Sequence, residues 1–244
     1  GSAASDMGDN LPVLDLGSGQ NAVDLDAGAN YNCARLEDDS WKCWGQNSYG
    51  QLGLGDATSR GTSSVEMGDA LPAVDMGALE IMDLATGDDH ACAWLEDNSI
   101  KCWGYNYYGQ LGLGDQFSRG DAAGEMGDNL PAADLGPLNI IGFDAGSSHT
   151  CAGLMDPATS AIYFKCWGRG DEGELGLGDA AHWGDDAGEM GDNLPSLDFS
   201  ESPTTTTTTI TSSTSTTSST STGTTSSSTR TTGTSSSTST SSTS

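Results

Sequence analysis

The hexapeptide MGDNLP at Met7 returns as MGDALP at Met67, MGDNLP at Met126 and MGDNLP at Met190, at spacings of 60, 59 and 64 residues. Within each period the order is fixed: an LPxxD string, a short apolar stretch, a Cys, a Cys-Trp-Gly step, then an LGLGD string whose copies start at Leu52, Leu111 and Leu175. A period of this length confines the fold, because one such unit cannot bury its apolar faces alone. It has to stack on neighbours of the same kind, as in a propeller or a solenoid.

Each unit reads as short strands. NLPVLDLG and AVDLDAG are bounded by Gly or Asx turn residues. ACAWL and SIKCW flank the three residues Glu96-Asp97-Asn98. A hairpin loop of that size wants its last residue in the left-handed region, which Asn and Asp tolerate best after Gly. Asp39 and Asn98 hold that place. No window carries a helical stripe, and Gly is too frequent for long helices. The expected fold class is all-β: three four-stranded propeller-type blades, a partial or open propeller, followed by an extended, non-globular Ser/Thr tail. The units are a lead-in at 1–6, repeats at 7–66, 67–125 and 126–189, a surplus strand element at 190–200 and the tail at 201–244.

Counting outward from the hairpin turns sets Cys92 opposite Cys102 and Cys33 opposite Cys43, with Trp103 facing Ala91 and Trp44 facing Asn32. The third copy stretches to Cys151 and Cys166 and keeps the pairing. Opposed cysteines on adjacent antiparallel strands lie within disulfide reach. Six cysteines allow 15 connectivities, and the repeat selects Cys33–Cys43, Cys92–Cys102 and Cys151–Cys166. Free buried thiols and zinc are the rivals; zinc lacks its close Cys-x2-Cys pairs here, and the three histidines have no matching spacing. Disulfides imply an oxidising, extracellular or cell-surface setting.

Charge excludes some partners. The formal net charge is −27, with every carboxylate at or before Glu201. Nucleic acid is a poor partner for such a surface, since affinity for it comes from Lys and Arg neutralising phosphates. Cations and basic proteins remain open, and other glycosylated surfaces with them. No apolar run reaches the roughly 18 residues of a membrane span, so no membrane insertion is expected. The chain starts at Gly1 without a leader, which reads as a processed, excised or partial chain.

From Thr204 to Ser244, 37 of 41 residues are Ser or Thr. Such a stretch has nothing apolar to bury against the entropy of ordering it. After Pro203 it reads as an O-glycosylated stalk, with a bare linker as the plain alternative. Candidate acceptors are Thr204, Thr205, Thr206, Thr207, Thr208, Thr209, Thr211, Ser212, Ser213 and Thr214. No N-x-[ST] sequon exists, so any sugar is O-linked.

The string Cys33-x9-Cys43-Trp44-Gly45-x4-Gly50-Gln51-Leu52-Gly53-Leu54-Gly55-Asp56 resembles the repeat of the regulator-of-chromosome-condensation family. It recurs at Cys92, Cys102 to Gly104 and Gly109 to Asp115. His90 and His149, two residues before their cysteines, also match, and Tyr31 takes that place in the first copy. The third copy departs, with Glu174 for Gln and Arg169-Gly170-Asp171-Glu172 before Gly173. The resemblance implies a β-propeller, usually of seven blades, and its cysteine-paired versions look like those of secreted or surface proteins. The founding member's nucleotide exchange and chromatin binding sit in loops that nothing here matches. Three repeats leave an open arc whose edges invite self-association, and a head-to-tail contact that does not close gives a filament.

Catalytic chemistry is not expected. The Gly-Gln-Leu-Gly-Leu-Gly run is followed by Asp and no helix, unlike a phosphate loop; its glycines suit turns and close blade packing. His90 and His149 read as strand packing, and His182 has no evident partner. Asp38-Asp39, Asp88-Asp89 and Asp185-Asp186 read as solvated turn residues rather than calcium ligands, and Arg169-Gly170-Asp171 is a weak adhesion tripeptide. No cofactor and no metal are expected. The expected function is a non-enzymatic extracellular structural glycoprotein, blades as body and tail as stalk or fibre core, self-associating through blade edges. The alternative is a secreted or surface binding module that recognises a protein or glycan through propeller loops.

Overall fold

The computed structural model describes residues 8–197 apart from 11, and residue 199. The tail and its expected glycan acceptors, Thr204 to Thr214, lie outside the described residues. Among the described residues nine strands form three antiparallel sheets, one per repeat: β1 Ala22–Ala27, β2 Tyr31–Leu36 and β3 Trp41–Gly45; β4 Ile81–Thr86, β5 His90–Leu95 and β6 Ile100–Gly104; β7 Asn139–Ala145, β8 His149–Met155 and β9 Ile162–Gly168. Each sheet runs in chain order, inner strand to outer. The hairpin loops close through left-handed residues, Asp39 at φ 64°, Asn98 at φ 66° and Ser160 at φ 60°. The first strand of every sheet carries a register shift, at 22/24, 81/83 and 140/142, which adds twist and bends the strand.

The blades have three regular strands where four were expected. The fourth element, the LPxxD string, is present but makes no ladder. Val74, Ala133 and Leu197 each donate one backbone hydrogen bond, to the carbonyls of Trp41, Ile100 and Phe164 at 2.8, 2.9 and 2.8 Å. Two residues earlier stands Pro72, Pro131 or Pro195, which has no N–H to give the next rung. Each string therefore lies along the outer strand of the preceding hairpin. Within 190–197, Leu194 is buried and Leu197 edges β9. The copy with no preceding hairpin in this sequence is the first, at 12–16.

The core lies between blades. Cys33, Cys43 and Trp41 of the first blade pack with Ala91, Ala93, Leu95 and Trp103 of the second. Cys92, Cys102 and Ile100 of the second pack with Ala152, Leu154 and Trp167 of the third. At both junctions the cysteine-bearing face of one sheet thus meets the face of the next that carries Ala, Leu and Trp. Each buried Leu in these layers contributes about 1.5–3 kcal/mol.

Candidate binding surface

Three disulfides join Cys33 to Cys43, Cys92 to Cys102 and Cys151 to Cys166. Each pair sits directly opposite in the sheet register, with Cα atoms 4.1, 4.0 and 4.1 Å apart. Beside each, a lysine crosses the blade to the string that follows. Lys42, Lys101 and Lys165 donate Nζ to the carbonyls of Gly68, Gly127 and Gly191 at 2.9, 2.9 and 2.7 Å. Burial holds the Lys165 ammonium below its ordinary range.

The register pairs Tyr31 with Gly45, His90 with Gly104 and His149 with Gly168. The β1–β2 turns and the loops leaving β3, with their counterparts in the other blades, therefore share one end. Adjacent blades are latched there. The Tyr31 hydroxyl donates to the His90 carbonyl. His90 Nε2 lies 3.0 Å from Thr150 Oγ1, and that hydroxyl donates to the Gln110 carbonyl at 3.0 Å, so His90 is the donor to Thr150. Trp103 and Trp167 donate Nε1 to the carbonyls of Gln51 and Gln110 at 3.1 and 3.0 Å. Burial, reinforced by His149, pushes the His90 imidazole down to about 4, so it is neutral and structural.

The LGLGD loops are clamped from within. Asn47 accepts from the Leu52 amide at 2.9 Å and donates to the Asp56 carbonyl at 2.7 Å; Asn106 repeats this with Leu111 and Asp115. Gly53 and Gly112, both at φ 68°, leave room for the next blade's tryptophan, since a Cβ there would stand 2.8 Å from Trp103 or Trp167 Nε1. These contacts tie the first two loops to themselves and to the next blade.

What the shared end does expose is aromatic. Tyr49 stands 4.6 Å from Tyr105, centroid to centroid, Tyr105 lies 6.3 Å from both Tyr107 and Tyr108, and Tyr108 meets His182 at 5.1 Å. The rings form one band across three blades. Tyr49 is 38% and Tyr107 57% exposed. Asp89 sits beside the band on the β4–β5 turn, where the Tyr105 amide donates to its carbonyl at 2.9 Å, and Asp88 precedes it on the same turn. Burial raises the Asp89 carboxyl and the neighbouring Asp88 charge adds to it. The Tyr105 hydroxyl is raised by burial, then by Tyr108, Tyr49, Tyr107 and Asp89.

Sequence reasoning placed strands and cysteines but did not single out these tyrosines. A signal existed: Tyr49-Gly50-Gln51 and Tyr108-Gly109-Gln110 are equivalent strings, with Tyr105 and Tyr107 just ahead. The other short motifs are engaged within the chain. Arg169 pairs with its own Asp171, sits 3.6 Å from Glu174 and covers the Tyr108 ring at 5.7 Å, so the tripeptide presents no free arginine. Asp38 takes the Ser40 hydroxyl at 2.7 Å, Asp88 takes that of Ser147 at 2.5 Å and Asp89 takes the Gln51 amide at 3.0 Å. His182 accepts from the Gly170 amide at 3.1 Å.

A second surface is apolar. On the third blade the cysteine face meets no further blade among the described residues. Phe164 is 42% exposed there, while its counterparts Trp41 and Ile100 are 2% and 0% exposed. Phe199 stacks edge-on against it at 5.5 Å.

Two models of the regulator of chromosome condensation (RCC1) repeat match this chain, one at residues 22–51 and 83–110, the other at 43–94 and 100–152. Together they run from 22 to 152, more than half of the 244 residues. The ultraviolet-B receptor UVR8 of Arabidopsis thaliana is 31% identical over 156 residues, 64% of this chain and 31% of the receptor. The probable E3 ubiquitin-protein ligase HERC4 of Homo sapiens is 31% identical over 140 residues, 57% of this chain and 12% of HERC4. The chain thus spans under a third of the length of either relative. Among solved structures, human WBSCR16 aligns with a TM-score of 0.49 at 17% identity, covering 75% of this chain and 40% of that one. Saccharomyces cerevisiae Prp20p aligns at 0.48 and 20%, over the same shares.

Proposed function

This chain belongs to the regulator of chromosome condensation (RCC1) repeat family, and from that premise we propose that it is a non-enzymatic binding module that works outside reducing compartments. RCC1-type repeats are typically binding or regulatory modules. The observation that carries the reading is the exposed tyrosine band: large aromatic rings gathered on loops at one end of a rigid β scaffold are the makings of an interface. A match to 12% of HERC4 brings no ligase activity with it. The three disulfides support an extracellular or cell-surface place. The composition of the Ser/Thr-rich segment fits an O-glycosylated stalk.

The test uses the native, full chain purified without reductant. Intact mass and thiol alkylation are expected to show no free thiol and a mass above that of the bare polypeptide in sugar steps; six free thiols overturn the extracellular placement. Screening against arrayed proteins and glycans is expected to give hits that Tyr49→Ala with Tyr107→Ala removes. Hits indifferent to those changes overturn the site.

A second reading is a structural one, in which copies join head to tail through their blades. The exposed Phe164 face favours it, since that face is the kind each blade buries against the next.

A further inference from the structure

We propose that the tyrosine band recognises a basic polypeptide segment, with Arg or Lys side chains of the partner laid on the faces of Tyr49 and Tyr107 and their charge met by Asp88 and Asp89. The inference rests on the binding-module reading and names its partner.

Ring geometry comes first. A tyrosine face attracts a cation placed within about 6 Å of its centroid. The molecule already contains one such seat: the Arg169 guanidinium lies 5.7 Å from the Tyr108 centroid, with Asp171 and Glu174 carboxylates on its nitrogens. Aromatic face plus carboxylate is therefore a combination this surface can build. Tyr49 and Tyr107 are more exposed, and no arginine or lysine lies over either among the described residues. Asp88, exposed on the neighbouring turn, supplies the carboxylate and forms no ion pair among the described residues.

Charge decides between partner classes. A net charge of −27 steers a basic segment toward the blades and repels an acidic one. A neutral oligosaccharide could stack on the same rings, but it gains nothing from the charge, and it has no counterpart to the Arg169 seat. The band crosses three blades, a run of rings suited to an extended chain with a cationic side chain every few residues.

The experiment is fluorescence anisotropy with the full chain and a labelled Arg-Gly-Ser repeat peptide, against its Glu-Gly-Ser counterpart and a neutral chito-oligosaccharide. The arginine peptide is expected to bind, to weaken as salt rises, and to outbind the glutamate peptide by tenfold or more. Tyr49→Ala with Tyr107→Ala should weaken it about tenfold or more, Tyr→Phe at the same places should not, because the ring face is kept, and Asp88→Asn should weaken it several-fold. Met82→Ala, at an exposed site at the far end of β4, is the control and should change nothing. Unchanged melting of the tyrosine variants separates lost contact from lost fold. Equal binding of both peptides, or indifference to the tyrosine changes, overturns the proposal. Oligosaccharide binding that needs the tyrosines, without peptide binding, also overturns it and leaves the module reading standing. If the tyrosine end binds neither probe and no partner in the array screen, both fall.

Discussion

His90 shows how one side chain ties the blades together and what that costs in acid. Its Nε2 reaches Thr150 of the next blade, while its Nδ1 is buried with no partner among the described residues. Protonation would place a charge between two blades. In the unfolded chain this imidazole takes a proton near 6.5, in the folded protein only near 4. The unfolded state binds the proton more readily, so stability falls as pH drops through that window, by about 3 kcal/mol in full. Chemical denaturation at a series of pH values should show this slope in the native protein, and His90→Gln should flatten it between 6.5 and 4. A slope unchanged in the variant would place the acid sensitivity elsewhere. Lys101 belongs to the same scale: its stem is buried and its ammonium serves the Gly127 carbonyl. Lys101→Met keeps the stem and removes the charged donor from that carbonyl, which retains the Leu130 amide at 3.3 Å, at a cost of about 1–3 kcal/mol, read as a lower denaturation midpoint with the slope unchanged.

At the scale of the hairpin, the three disulfides are equivalent in register and unequal in surroundings. Cys33, Cys43, Cys92 and Cys102 are fully buried beneath the next blade, whereas Cys151 is half-buried on the open face. A thiolate reductant needs access to a sulfur. Timed alkylation under mild reductant should therefore open Cys151–Cys166 first and the other two together, later; simultaneous opening of all three would contradict the burial order. Removing Cys92–Cys102 by paired alanines should cost about 2–3 kcal/mol from the freed loop alone. Much of this level was legible in the residues themselves. Symmetry about the hairpin turns places Cys33 opposite Cys43, and the left-handed Asp39 and Asn98 follow from the loop length. The missing fourth ladder was written in Pro72, Pro131 and Pro195, which lack the N–H for a rung, although Gly and Asx turn residues bound the string as they would a strand. The tyrosine band was not legible, because Tyr49 and Tyr105 are brought together only by the stacking of two blades. Local pattern does not say which end of a blade its neighbour will align.

At the scale of the whole blade array, the internal interfaces specify what the open face would accept. Twice in this molecule a cysteine-bearing face, with Trp41 or Ile100 on it, receives the Ala-Leu-Trp face of the following blade, with Ala93, Leu95 and Trp103 or Ala152, Leu154 and Trp167. The third blade offers Cys151, Cys166 and Phe164 in the same arrangement. On the first, Ala34 and Leu36 are already buried with Leu16, and Trp44, half-buried, and Leu25, 62% exposed, are what the face offers. A second copy presents to Phe164 the face that each blade here presents to its predecessor. Such a contact is heterologous and adds copies in one direction, closing into a ring or running on as a filament according to its rotation. Sedimentation of the full chain across concentration should then show progressive association rather than a single dimer step. Phe164→Glu puts a charge on the face without touching the disulfide or the tyrosine end, and it should hold the protein monomeric while leaving the arginine-peptide affinity as it was. A wild-type chain that stays monomeric throughout removes the structural reading and leaves the binding module.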